Sequence, residues 1–180
     1  MKGFILGVIS TILIIIVGGF LMIKQGRINM EADQPPSTME LKLAMSAVDA
    51  SIDRRAPETK NPVQPTDQNL VDGAILYMNN CAGCHGLPSN PNSQFGHSLY
   101  PSVPQFFKNA PDMSENQNFY VVQHGIRWTG MPAWSKTLSE AQIWTVVAFL
   151  SHIEKLPPGA LKALEPTPPG QVPATAPTSR

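Results

Sequence analysis

Apolar residues fill the chain from Phe4 to Ile23, interrupted only by Ser10, Thr11 and glycines. At 1.5 Å per residue such a run reaches about 30 Å, the hydrocarbon thickness of a bilayer. The pattern predicts a transmembrane helix. A cleaved signal peptide is the competing reading, but its apolar core usually covers only about 7–15 residues. No small-x-small site follows closely; the chain continues Lys24-Gln25-Gly26-Arg27-Ile28-Asn29-Met30. Residues 1–27 therefore read as an uncleaved signal anchor. Lys2 before the span and Lys24 and Arg27 after it nearly balance, so charge alone leaves its orientation open.

Beyond the span the apolar positions fall at helical spacing. Leu41, Met45, Val48 and Ile52 predict a helix over about 38–55, which Ser37 or Thr38 can cap. Its face is only moderately apolar and carries no aromatic, which favours packing on its own domain over a membrane surface. Pro57, Pro62 and Pro65 make the next stretch an extended spacer. Leu70, Ala74 and Tyr77 predict a helix over about 68–78, with Gly73 among them as the sign of a close helix crossing. Ser114 with Gln117, and Ser139 with Gln142, are capping boxes that open two more helices. The first of these stops at Gly125. The second has Leu138 and Ile143 at staple positions and a stripe of Ile143, Val146, Val147, Leu150 and Ile153. No alternating run supports a sheet, so the fold class is all-α.

Between Gly86 and Asp112 five prolines predict a loop, yet Phe95, Leu99, Tyr100, Val103, Phe106 and Phe107 make it too apolar to be solvated. It must wrap something. After Pro157-Pro158 large apolar residues are sparse, and the end of the chain reads as a disordered tail. The expected organisation is an anchor over 1–27, a helix and Pro-containing linker over 28–66, a globular domain over 67–156, and a tail over 157–180.

Charge adds little: Lys+Arg and Asp+Glu stand at 13 each, which argues against nucleic acid as a partner. Cysteine adds a great deal. The chain has 2, and both lie in Cys81-Ala82-Gly83-Cys84-His85. C-x-x-C-H is the attachment signature of a c-type haem. Its two thiols add across two vinyl groups and become thioethers, while the adjoining imidazole lies under the iron as proximal ligand. A redox dithiol would want a βαβ context, and zinc would want two further ligands at short spacing. Neither is visible. The single motif implies one covalent haem c, held through Cys81 and Cys84 with His85 on the metal.

The second axial position falls to Gly130-Met131-Pro132-Ala133-Trp134. Gly130 permits a tight turn and Pro132 stiffens the backbone that follows, so the Met131 sulfur can be presented from a rigid loop. Met131 as an ordinary core methionine is the plainer alternative. Met78 lies too near Cys81 to reach the far face. Met113 is the best substitute, and His97, His124 and His152 would give bis-histidine ligation.

Gly73, Tyr77, Cys81, Cys84, His85, Met131-Pro132, Phe149 and Leu150 resemble the class I cytochrome c family. The resemblance covers about half the chain and leaves out the 38–55 helix and the tail. It implies an all-α haem domain in which the helix carrying Gly73 and Tyr77 meets the last helix around Trp144, Ala148 and Phe149. It also implies a loop carbonyl that accepts a hydrogen bond from His85 Nδ1–H, with Pro104 the candidate and Pro101 second. The stretch 125–132 is similar to the Met loop of bacterial members. There Trp128 and Trp134 would shape the pocket, and Arg127 would either pair with a propionate or stand exposed in solvent.

A haem ligated on both faces has no open position for substrate, so the expected function is one-electron transfer with His/Met ligation, as a carrier and not an enzyme. Redox proteins would be donor and acceptor. Haem attachment outside the bacterial cytoplasm would place the domain on the periplasmic side of the inner membrane, anchored by a single pass. Two alternatives stay open: the cytochrome subunit of a larger respiratory or dehydrogenase complex, and a five-coordinate peroxidase or gas sensor.

Overall fold

The computed structural model describes residues 1–166, and these divide into two units, Met1–Glu31 and a larger body that begins at Ala32. The first unit is one helix, α1 (Lys2–Lys24), with mean hydropathy 2.8 and no buried residue. It is long and apolar enough to cross a membrane. Its two hydroxyls turn inward on the backbone: Ser10 Oγ donates to Leu6 O at 3.0 Å and Thr11 Oγ1 to Gly7 O at 2.9 Å. That leaves neither hydroxyl proton of this apolar run unbonded.

The second unit is helical, with no strand among the described residues. In order come α2 (Thr38–Arg55), α3 (Asp67–Asn80), α4 (Ala82–His85), α5 (Gln94–His97), α6 (Glu115–His124), a 3-10 turn (Trp134–Lys136), α7 (Glu140–Ser151) and α8 (Pro158–Ala163). Side chains fix most of the N-termini. Ser37 caps α2 and Thr66 caps α3. Both expected capping boxes are complete, with Ser114 and Gln117 opening α6 and Ser139 and Gln142 opening α7. Each box satisfies two donors that the first turn would otherwise leave orphaned. At the other end of α6, Gly125 takes φ 67, a conformation open to glycine at little cost.

The centre of the unit is the crossing of α3 and α7. A Cβ added to Gly73 would stand 2.6 Å from Phe149 Cβ and 2.7 Å from Thr145 O, so the backbones touch where only hydrogen fits. Around this contact Leu70, Ala74, Leu76 and Tyr77 of α3 bury against Val146, Phe149 and Leu150 of α7. Tyr77 and Phe149 rings lie 5.1 Å apart, as the family resemblance led us to expect. Trp144 departs from that expectation. It turns to α6 and stacks on Phe119 at 3.9 Å, in a second cluster with Val122, Ile143 and Val147. The helical period explains the split, since residue 144 lies well round the helix from 149.

Two expectations are corrected. The domain does not end at Leu156: α8 packs on α3, and Ala160 and Leu164 are completely or nearly buried in the main cluster. Pro158 sits in the first turn, where its missing N–H costs nothing, so a short helix starts with little help from composition. The tail expectation therefore fails for residues 157–164; residues 167–180 lie outside the described residues. The 86–112 segment is also not all loop, because Ser93 caps the one-turn helix α5.

Candidate functional site

Helix α3 ends at Asn80, Cys81 is its C-cap, and α4 carries Ala82 to His85 before Gly86 turns the chain out at φ 84. The motif is thus one helical turn pinned to the end of a core helix. Tyr77 holds the exit of that turn. Its hydroxyl, buried among Phe107 and Phe149, donates to Gly86 O at 2.8 Å. Burial, with the two cysteines adding to it, holds the Tyr77 hydroxyl protonated well above its usual range.

Both cysteines are free thiols. Burial first, and Cys84 second, push the Cys81 thiol up to about 12. A redox dithiol needs the reverse, an exposed thiol of lowered pKa. Burial also lowers the His85 pKa, against a smaller opposing effect of its bond to Pro104. The imidazole is therefore neutral at pH 7, the form that binds iron. His85 Nδ1 lies 2.9 Å from Pro104 O, the pairing the resemblance implied. With Nδ1–H donating to that carbonyl, Nε2 is the nitrogen left for a metal.

Three consecutive residues grip the motif. Pro104 O takes the His85 Nδ1 bond. Gln105 Nε2 donates to Cys84 O and to Val103 O, each at 2.9 Å, and its Oε1 accepts Ser93 N–H at 2.7 Å. Phe106 N–H donates to His85 O at 3.1 Å, and its ring stacks on the imidazole at 4.2 Å with an interplanar angle of 8°. Gln105 is buried, and sequence reasoning missed it. One polar residue in a Pro-rich, aromatic loop belongs to no periodic pattern, and only its position beside Pro104 points to it. Ser93 was missed for the same reason; besides capping α5 its hydroxyl donates to Gly83 O. Gly96 completes the seam, because a Cβ there would collide with Cys84 O.

Met131 stands on the other segment of the site, and its backbone is fixed on both sides. Ile126 N–H donates to Met131 O at 3.1 Å, and Met131 N–H donates to Thr129 Oγ1 at 3.1 Å. Thr129 in turn donates to Ile126 O at 2.8 Å. A Cβ on Gly125 would meet Met131 O at 2.6 Å, so the loop closes on its own start. The Met131 side chain is partly buried against the α6–α7 cluster, as is that of Trp134. The two segments meet where Gly130 touches Leu99, at a separation that leaves no room for a Cβ.

Arg127 is exposed, and Trp128, at φ 61, is 90 % exposed. His124 lies against the Tyr120 ring, and His152 Nδ1 pairs with Ala148 O at 2.9 Å. The Met113 carbonyl accepts the Asn118 amide at 2.9 Å. Among the described residues no group of three or more His, Cys, Asp or Glu is placed to hold a metal ion. Two free thiols one turn apart, beside an imidazole whose Nδ1 lies against Pro104 O, fit the attachment of a c-type haem.

A family model described as cytochrome C oxidase, cbb3-type, subunit III matches residues 68–150. The matched stretch runs from α3 to α7 and contains His85, Pro104 and Met131. Comparison with curated proteins and with solved structures gives no significant match.

Proposed function

We propose that residues 68–150, which match a cytochrome family model, form a c-type haem domain, and that this chain is a membrane-anchored, single-haem electron carrier with His85 and Met131 as axial ligands. The 2.9 Å contact between His85 Nδ1 and Pro104 O, beside two free thiols, carries the reading. When bound, a haem supplies an iron centre that changes oxidation state by one electron. Cys81 and Cys84 would hold it by adding S–H across its vinyl groups. Pro104 orients His85 and strengthens it as a donor, Gln105 holds Pro104 in register with the motif, and Phe106 fixes the plane of the imidazole. The hydrogen bonds of Thr129 and Ile126 fix the Met131 backbone in its loop, from which its side chain would be presented to the iron. The Met131 thioether and the His85 imidazole, both neutral donors, would favour the reduced state and raise the potential.

Helix α1 would hold the domain at the inner membrane, on the periplasmic side where such haems are attached. Redox proteins would then be its donor and acceptor, met through small and transient contacts. The description of the matched family favours a second reading, a subunit of a larger oxidase-type complex. Partners that co-purify from mild detergent in fixed proportion would support it, and an unaccompanied monomer would contradict it.

Carbon monoxide tests the axial pair. The wild-type ferrous protein should resist it, and Met131→Ala should bind it readily and lose the sulfur-to-iron band of the ferric spectrum. Rapid binding to both proteins would remove Met131 from the iron and leave the five-coordinate alternative.

A further inference from the structure

Helix α2 is fastened at both ends, and the two fastenings lie on different segments of the site. Near its start, Glu40 Oε1 accepts the Tyr100 hydroxyl at 2.5 Å. Near its end, Asp53 Oδ1 accepts Gln117 Nε2 at 2.7 Å. Tyr100 belongs to the loop that delivers Pro104 to His85. Gln117 belongs to α6, whose C-cap Gly125 opens the Met131 loop. From Glu40 to Asp53 the helix axis rises about 20 Å. One helix thus bridges the segment of the proximal ligand and the segment of the distal one.

Leu41, Met45, Val48 and Ile52 share a face of α2 by the helical period. Their cover is graded: Ile52 is 4 % exposed, Val48 half-buried, and Leu41 and Met45 each 44 % exposed. The opposite face is open, with Met39 at 79 % and Leu43 at 73 %. Leu41 and Met45 therefore turn the same way as a core residue but are only half covered by protein. The helix that carries them spans from the Tyr100 loop to α6, and on the reading above a haem would sit between the segments that carry His85 and Met131.

We propose that α2 is a strap across the open edge of the haem slot, with Leu41 and Met45 resting against the porphyrin rim. The inference depends on the haem reading and adds a positioning element outside residues 68–150. Apolar side chains on the rim would exclude water there and lower the local dielectric, one of the levers a protein has on haem potential. The two hydrogen bonds set the height of the strap, and the graded face supplies the cover.

Proton NMR on the full-length holoprotein in detergent, with methyl groups of Leu and Met labelled, tests this. The Leu41 and Met45 methyl signals should move by tenths of a ppm or more between ferrous and ferric states, through ring-current and paramagnetic effects. Those of Met39 and Leu43 should stay in place. Tyr100→Phe should reduce the redox shift of the Met45 methyl. Leu41 and Met45 signals no more redox-sensitive than those of Met39 and Leu43 would overturn the strap. The Met131 methyl reports the ligation separately: strongly displaced upfield in the reduced protein if bound, in its ordinary place if not. A protein with no haem would overturn both ideas.

Discussion

Gly73→Ala puts the packing account at risk, because two effects of known sign compete at one atom. Alanine is the better helix former, and inside a helix the exchange returns about 1 kcal/mol. At this position the new methyl would stand 2.6 Å from Phe149 Cβ and 2.7 Å from Thr145 O. Neither neighbour is the end of a flexible side chain. Relief requires the axes of α3 and α7 to part by most of an ångström, and the same shift loosens Leu70, Ala74 and Tyr77 in the main cluster. Overpacking of this kind costs about 1–3 kcal/mol, to which the lost cluster contacts add. The balance is a net destabilisation of about 1–2 kcal/mol, which for a domain near 100 residues lowers Tm by roughly 5–15 °C. Thermal unfolding of the holoprotein in detergent, followed by circular dichroism and by the Soret band, reads this directly. A variant that melts higher than wild type would show that helix propensity outweighs the crossing and would refute the reasoning.

Gln105→Leu should be costlier than its polar character suggests, since it leaves Ser93 N–H and Cys84 O without their partner. At about 1–3 kcal/mol for each orphaned group, a loss of about 3 kcal/mol in denaturant unfolding is expected; a loss below about 1 kcal/mol would contradict the clamp. The Tyr100–Glu40 bond raises the Tyr100 pKa above its usual 10.0, chiefly through the hydrogen bond itself. The folded state therefore keeps a proton that the unfolded chain has lost, so this contribution is complete below pH 10, fades as pH rises from there to the folded value, and is gone beyond it. Protection factors in the N-terminal half of α2, with the intrinsic base-catalysed rise of exchange divided out, should fall over that range in wild type and be low throughout in Tyr100→Phe. Equal protection in both proteins at pH 8 would remove the bond as an anchor.

The helices were legible where a side chain announces a boundary. Ser114 with Gln117, and Ser139 with Gln142, set helix starts through local hydrogen bonds that need no tertiary context. Gly73 was legible as a crossing because a glycine inside an apolar helical stripe has few other uses. Helix α8 was not, because two small or lone apolar residues, Ala160 and Leu164, bury almost completely against α3 in a segment whose average composition is that of a linker. Burial depends on what the rest of the fold offers, and composition averages over it. The site divides in the same way. Cys81, Cys84 and His85 form a contiguous signature, and Pro104 could be named through a family resemblance. Gln105 could not, since its role comes from three partners at sequence separations of 2, 12 and 21. Leu41 and Met45 carried a helical stripe from the start, but the sequence held nothing to show that they would be only half covered.

The account stands on a porphyrin joined to Cys81 and Cys84. The pyridine haemochrome spectrum of the purified full-length protein, taken before and after acid–acetone extraction, tests this most directly. The prediction is one haem per chain with the c-type α band, retained by the polypeptide after extraction and absent from Cys81→Ala/Cys84→Ala. Pigment that passes wholly into the solvent, or a wild-type protein with no haem, would contradict it.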